Sequence, residues 1–361
     1  MTKIKVGNIE HPDSENDPVQ FAGHGCMIIP SGTTAQRPSI NNAGQIRFNT
    51  TTGQVEYWST TSNTPQWRTI TQGPLITGTM RILLVAGGGA GGSSHTGHGG
   101  GGGGGAGGVI HQTAFTFESE TAISFTVGTG AAASSGQQVQ GANGNNTTFS
   151  TLTAIGGGGG GAAQTGTTAS HGKDGGSGGG VGYTGGTNAG AGTSGQGNAG
   201  GTHDGPAYYA GNGGGGAGGT PSQLSGTNLQ GGAGGPGVAN DITGSSVTYA
   251  GGGGGGSYDD GGGAGGSGGG GAGGAAGSTT TLRDGTDGLG GGGGGASGYE
   301  ISSLYQYGGA GGDGIIIMRL DSTSWSAAFS GTHTKTSATI GNDIVYSITA
   351  AENATVTISA V

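Results

Sequence analysis

The sequence is poor in cysteine, in charge and in long apolar runs, and each shortage excludes a class of protein. Its single cysteine, Cys26, cannot form a disulfide within the chain, which excludes a disulfide-stabilised secreted scaffold. Charged residues make up only 8% of the chain, and the formal net charge of −9 disfavours nucleic acid as a partner. The longest apolar runs, Ile82 to Ala86 and Ile315 to Met318, are far shorter than the roughly 20 residues that cross a bilayer, so we expect no membrane insertion.

Glycine is what the chain has instead, with 89 of its 99 glycines between Ala86 and Gly314. Fixing the backbone of one residue costs about 1–2 kcal/mol, and glycine has no side chain whose burial could offset that cost. The backbone itself must then stabilise this stretch, through hydrogen bonds between extended segments. Threefold polyproline II helices meet this requirement, because glycine lets neighbouring segments approach closely. The sequence therefore predicts a sandwich of packed polyglycine II helices.

Glycine runs mark the expected helices, and other interpretations compete with this one. The runs cover residues 86–92, 156–161, 211–219, 251–256 and 290–295. Collagen would need glycine at every third position and abundant proline, whereas this stretch breaks that period and has only three prolines. A flexible glycine-serine linker would also be rich in glycine without a period, and it is the more serious alternative.

Residues 1–75 differ in composition, and we expect a small β module there that serves for attachment and assembly. The pattern QIRFNTTTGQVEYW predicts a hairpin in which Ile46 and Phe48 pair with Val55 and Tyr57. Such a module has few buried residues and should gain stability by packing against copies of itself.

Apolar segments frame the glycine-rich stretch and predict β-strands at its base. MRILLVA precedes it and IIIMRL follows it, so pairing of these two segments would bring both ends of the stretch together. We therefore expect a mostly β and irregular fold in three parts. These are an N-terminal fibre or attachment module at residues 1–75, a polyglycine II sandwich on a β base at residues 76–320, and a short C-terminal β segment at residues 321–361.

Two sets of segments resemble proteins of tailed bacteriophages. IPSGTTAQRPSINNAGQIRFNTTTGQVEYW, from Ile29 to Trp58, resembles a segment that recurs in tail-fibre and other virion proteins. RILLVAGGGAGG, GGGAGGVIHQ, GNNTTFSTLTAIGGGGGG and GGAGGDGIIIMRL are similar to the glycine-rich domain of fibre-tip proteins. The resemblance implies a tail fibre or spike in the virion, joined to other tail proteins through its N-terminal module. It also implies a homotrimer and a host-recognition adhesin that binds a bacterial surface glycan.

Recognition would depend on the larger side chains that interrupt the glycine runs, because glycine has no side chain with which to distinguish ligands. Tyrosine beside aspartate suits sugars, since it combines a stacking face with hydrogen-bonding groups. The candidate receptor contacts are Tyr208, Tyr209, Tyr258, Asp259, Asp260 and Tyr299. A tyrosine at the end of a glycine run could instead serve only to cover the end of the bundle.

The motifs in the sequence predict no enzyme and no cofactor. Chance GxGxxG matches are common in such a composition, and none precedes a convincing crossover helix. His95 and His98 form only a pair, which is weak support for a metal site. The alternatives to an adhesin are a structural virion spike or decoration protein without receptor binding and, with less support, a polysaccharide depolymerase.

Overall fold

The chain folds into two compact units, Met1–Pro74 and Leu75–Val361. The structure is a computed structural model, and it describes residues 30–37, 45–59, 66–69, 76–94, 99–164, 168–184, 186–203, 209–224, 229–277, 283–298 and 307–361. Within these residues the only helical elements are two short 3-10 turns, Thr34–Gln36 and Thr168–Ser170. The expected mostly β and irregular fold is confirmed.

The N-terminal unit contains a four-stranded sheet with its strands in sequential order. The strands are β1 (Ser31–Gly32), β2 (Ile46–Asn49), β3 (Gln54–Ser59) and β4 (Gln66–Thr69). The predicted hairpin is confirmed, because Ile46 pairs with Tyr57 and Phe48 pairs with Val55. Ile46 is nevertheless 43% exposed, and the other face of the hairpin is the buried one. That buried face carries Arg47, Asn49 and Glu56.

The larger unit contains an eight-stranded sheet and a separate two-stranded ribbon. The strands of the sheet are β5 (Thr77–Val85), β6 (Val109–Glu118), β7 (Ala122–Thr126), β8 (Thr147–Phe149), β9 (Leu152–Ala154), β12 (Ile315–Asp321), β13 (Trp325–Ile340) and β14 (Asp343–Ala360), and the ribbon consists of β10 (Val238–Asn240) and β11 (Val247–Tyr249). β14 pairs with β13 along its length, with β12 through its first half and with β7 through its second half. The C-terminal hairpin is therefore built into the same sheet as β5 and β12.

The sheet encloses one core and contributes to a second. Leu84 and Ile316 belong to the first core, together with Phe115, Phe125 and Phe149 from β6, β7 and β8, so the sheet curls around these side chains. The alternate residues of β5 and β12 face the other way and pack against residues that adjoin the glycine runs. This second core contains Leu83, Val85, Ile315, Ile317, Ile242, Tyr249 and Ala250. Both faces of the two central strands are thus buried.

The glycine-rich stretch starts and ends at the sheet. β5 and β12 are antiparallel neighbours in which Val85 pairs with Ile315, so residues 86 and 314 leave and re-enter the sheet side by side. The predicted pairing of these two strands is confirmed. Between them, extended runs form what we call the bundle, and its run 99–108 is the central run.

The central run is bonded to six neighbouring runs. It donates to residues 155–161, 209–215 and 290–296, and it accepts from residues 86–92, 177–183 and 253–256. Six of its N–H donors, with their carbonyl acceptors at 2.7–3.0 Å, are Gly101 to Ala296, Gly104 to Gly293, Gly102 to Gly161, Gly105 to Gly158, Gly103 to Asn212 and Ala106 to Gly215. Each neighbour is met at every third residue, which is the period of a polyproline II helix.

The packing of the bundle leaves no room for a side chain at its interior glycines. A Cβ atom added at Gly103 or Gly253 would lie closer than 3.0 Å to the backbone of an adjacent run. The runs 156–161, 211–216 and 251–256 contain no strand and are bonded laterally, as the sequence predicts. At the periphery, side chains replace the missing neighbour: Asn143 Oδ1 accepts from the N–H of Gly159, and Asp284 Oδ1 accepts from that of Ala310. Buried backbone donors are thereby paired.

Candidate functional site

Three tyrosines meet at the end of the bundle that is farthest along the central run from the sheet. Tyr183 donates its backbone N–H to the carbonyl of Gly100 at 3.0 Å, and Gly100 donates to the carbonyl of Tyr209 at 2.8 Å. Tyr258 follows the run 250–256, whose last residue donates to the carbonyl of Gly101. We call this end the tip. Nine residue steps separate Gly99 from Gly108, the residue before β6. In a polyproline II helix nine steps span roughly 28 Å.

The three rings form a row. The ring centroids of Tyr183 and Tyr209 are 5.5 Å apart with nearly parallel planes at 16°, and those of Tyr209 and Tyr258 are 5.2 Å apart at 39°. Tyr209 is 42% exposed, while Tyr183 and Tyr258 are half-buried. Burial raises the pKa of the Tyr183 hydroxyl, and the neighbouring hydroxyls of Tyr209 and Tyr258 add to the rise. The raised pKa keeps the Tyr183 hydroxyl protonated further into the alkaline range.

Two exposed carboxylates adjoin the row. Asp259 and Asp260 directly follow Tyr258, whose backbone N–H donates to the carbonyl of Leu229 at 3.0 Å. Asp260 is held by its own loop, because its Oδ1 accepts from the N–H of Gly261 at 2.8 Å. Exposed hydrogen-bond acceptors thus directly follow one ring of the row along the chain.

Comparison with known families identifies the larger part of the chain. A sequence profile described as "Glycine-rich domain" matches residues 60–321, which is more than half of the chain. The chain belongs to this glycine-rich domain family. A search of curated proteins found no match. The family match ends at Asp321, the last residue of β12, so the C-terminal hairpin lies beyond it.

The tip of the glycine-rich domain unites only part of the predicted contact set. Tyr209, Tyr258, Asp259 and Asp260 lie together as described above. Tyr208 and Tyr299 lie outside the described residues. Tyr183 belongs to the row, and the sequence marks it as one of the larger side chains in the turns, although it is not among the six candidate contacts. It directly follows the run that ends at Gly182, whereas Ser257 separates Tyr258 from the run 251–256.

Two further sets of polar groups in the larger unit bear on a site, the acidic pair Glu118 and Glu120 and the histidines His95 and His98. Glu118 ends β6 and Glu120 lies in the following turn with φ 59°, and both are exposed. His95 and His98 lie outside the described residues. Among the residues that the structure describes, there is no group of three or more histidine, cysteine, aspartate or glutamate side chains placed to hold a metal ion. The same residues include no helix that is long and apolar enough to span a membrane.

Proposed function

We propose that this protein is a virion fibre protein of a tailed bacteriophage and that it acts as a host-recognition adhesin for a bacterial surface glycan. The row of Tyr183, Tyr209 and Tyr258 beside Asp259 and Asp260 carries this proposal. Solvent-facing aromatic rings give a sugar an apolar stacking surface, and the adjacent oxygens can accept its hydroxyl protons. Membership of the glycine-rich domain family and the resemblance of residues 29–58 to virion proteins support the same assignment.

The architecture of the bundle favours recognition at the tip over recognition along its sides. The backbone donors and acceptors of the interior runs are hydrogen-bonded to one another, and glycine presents no side chain to a ligand. The loops at the tip can change in sequence and length at little cost to the bundle, because loop closure depends only weakly on loop length. A rigid body with variable contact loops suits a protein that must discriminate among surfaces.

The formal net charge of −9 affects which ligand charge is favourable. Like charges across an interface oppose association, so a bare polyanion would be repelled by a surface that includes Asp259 and Asp260. A neutral glycan, or one whose charge is bridged by cations, is the better partner.

Adsorption to host cells tests the proposal. A Tyr209→Ala, Tyr258→Ala double variant should lose at least about tenfold in affinity, since hot-spot aromatic residues typically contribute 2 kcal/mol or more. Tyr307→Ala is the matched control, because Tyr307 is equally exposed and makes no ring contact within the described residues. Wild-type protein that adsorbs to no cell would favour a purely structural spike. Normal adsorption by the double variant would remove the row from the binding site.

We also propose that residues 1–75 join three copies of the chain and attach them to other tail proteins. The apolar face of the β2–β3 hairpin supports trimer formation, because Ile46 is 43% exposed and its cross-strand neighbour Tyr57 is only half-buried. Ile46→Glu should convert the full-length trimer to monomers in sedimentation. A wild-type chain that sediments as a monomer would refute this proposal.

A further inference from the structure

The N-terminal sheet contains a buried arginine with an unused hydrogen-bond donor. Arg47 is only 4% exposed, and its Nη2 donates to the carbonyl of Thr33 at 3.0 Å. Its Nη1 is buried and has no partner. The guanidinium lies over the ring of Trp67, 5.7 Å from the centroid, and the indole Nε1 of Trp67 is likewise buried without a partner. Two unpaired donors therefore occur in neighbouring side chains, although unpaired buried donors are rare in native proteins.

The other charged groups around Arg47 are paired. The carboxylate of Glu56 accepts from Arg37 Nη2 at 2.5 Å and from Asn49 Nδ2 at 2.8 Å. Asn49 Nδ2 also donates to Thr34 Oγ1 at 3.0 Å. The buried face is thus a hydrogen-bonded network, and Arg47 Nη1 and Trp67 Nε1 are buried beside it without a hydrogen-bond partner. Among the described residues of this sheet, these two donors have no acceptor.

A small pocket adjoins the two donors. Its volume is about 180 Å³, and Arg47 and Trp67 line it together with Pro30, Ser31, Gln36, Gln45 and Ile46. That volume holds a group of a few heavy atoms and is too small for a complete oligosaccharide. Both nitrogens are closed off from solvent. A ligand in the pocket therefore reaches Nη1 by turning the guanidinium, and it reaches Nε1 through the space that the guanidinium leaves.

We propose that this pocket binds a carboxylate group. A carboxylate has two oxygens with which to accept from these two donors, and a hydrogen bond from an arginine to a carboxylate is charge-assisted and therefore strong. A phosphate is larger and more negative, and the buried carboxylate of Glu56 on the same face makes additional negative charge unfavourable. The group can belong to a soluble acid such as a uronic acid or to a side chain of a second copy of this chain. The chemistry is the same for both sources, and an experiment can separate them.

The indole N–H resonance of Trp67 reports on the pocket in full-length protein labelled with ¹⁵N. Acetate and glucuronate should shift this resonance and saturate it, and phosphate at equal ionic strength should need at least about tenfold higher concentration. Trp67→Phe identifies the resonance by deleting it. Trp325 packs on Phe117 in the larger unit, with ring centroids 4.9 Å apart, and its resonance should stay unchanged.

Two variants test the donors separately. Arg47→Gln should weaken acetate binding at least about tenfold, because it removes a charge-assisted donor. Trp67→Phe keeps an aromatic ring and removes only the Nε1 donor, so calorimetry on this variant remains informative if Arg47→Gln does not fold. Trp58→Phe is the matched control, since the ring of Trp58 lies edge-on to that of Trp67 at 5.7 Å and it should leave acetate affinity unchanged.

A dilution series without added acid distinguishes the two sources. If a second copy supplies the carboxylate, the Trp67 resonance should move with protein concentration in step with sedimentation, and Arg47→Gln should abolish both changes. A resonance that responds only to soluble acids assigns the pocket to a free ligand. The proposal is wrong if the resonance responds to neither, if Arg47→Gln leaves the response intact, or if phosphate binds as well as acetate.

Discussion

The bundle and the curled sheet belong to one unit, but they are stabilised in opposite ways. In the bundle, residues such as Gly101 and Gly104 contribute only backbone groups, and each interior run is bonded to its neighbours at every third residue. In the sheet, Phe125, Phe149 and Ile316 are fully buried side chains around one core. The bundle is stabilised by many hydrogen bonds that contribute about 1 kcal/mol each, whereas the sheet is stabilised by the burial of apolar side chains. We therefore expect that an atom added at an interior glycine of the bundle lowers the stability of the unit. Removing atoms from a core side chain of the sheet should also lower it.

The largest expected effect is that of a single methyl group in the bundle. Gly103→Ala should destabilise the larger unit by more than about 4 kcal/mol, because its Cβ would clash with the backbone near Gly253 and bonded backbone cannot move aside. Urea unfolding followed by circular dichroism measures this loss.

Gly261→Ala is the matched control for that substitution. The nearest atom to an added Cβ at Gly261 is Gln230 Nε2 at 3.7 Å, which is an ordinary contact. The free energy of unfolding of this variant should stay within about 0.5 kcal/mol of that of the wild type. Equal midpoints for Gly103→Ala and wild type would show that the interior of the bundle is looser than the structure indicates.

A smaller loss is expected from truncation in the sheet. Phe149 is fully buried, and its ring contacts those of Phe115 and Phe125 with centroids 5.5 Å and 6.2 Å away. Phe149→Ala should cost about 3–5 kcal/mol through lost burial and the cavity left behind. Val139→Ala, at a side chain that is 42% exposed, should cost little. The contrast between the two regions fails if Phe149→Ala is as well tolerated as Val139→Ala.

The smallest expected effect is a pH dependence of the stability of the N-terminal sheet. Unlike the described parts of the bundle and the curled sheet, this sheet has a buried carboxylate, that of Glu56, in its core. The hydrogen bond from Arg37 is the main cause that lowers the pKa of Glu56, with smaller contributions from Asn49 and the charges of Arg37 and Arg47. The folded state therefore binds this proton more weakly than the unfolded chain. The resulting stabilisation is present above the ordinary pKa of 4.5 and is lost as pH falls through the lowered value.

Acid titration monitored by the fluorescence of Trp58 and Trp67 checks this pH dependence. The N-terminal sheet should unfold more readily below pH 4.5, while the bundle, whose interior is held by backbone groups that do not titrate, should keep its circular dichroism signal. Glu56→Gln should flatten the acid response. A fluorescence change that is identical in Glu56→Gln would assign the pH dependence to another group.

Much of the fold could be predicted from local patterns. The β2–β3 register follows from the alternation around Thr52 and Gly53, and β5 and β12 follow from their apolar content. The place of β14 could not be predicted in this way, because its partners β12 and β7 are far away in the sequence. The buried polar face of the N-terminal hairpin was equally hidden, since alternation alone assigns the apolar side to the interior.

The candidate site, like the fold, could be predicted only in part from the sequence. The sequence marks Tyr183, Tyr209, Tyr258, Asp259 and Asp260 as larger side chains that interrupt glycine runs. It does not indicate which of them lie side by side, because the order in which the runs pack decides which run ends become neighbours. That order is set by lateral hydrogen bonds between residues as distant as Gly100 and Tyr209.

Composition alone determined that the stretch from Ala86 to Gly314 relies on its backbone, because glycine has nothing else to contribute. Composition and period also excluded collagen and favoured extended threefold segments. Only the tertiary structure decided which six runs surround residues 99–108 and which tyrosines share the tip. The physical reason is that glycine runs are chemically alike, so sequence cannot tell one from another. The attachment points at β5, β6 and β12, together with side-chain caps such as Asn143, set their arrangement.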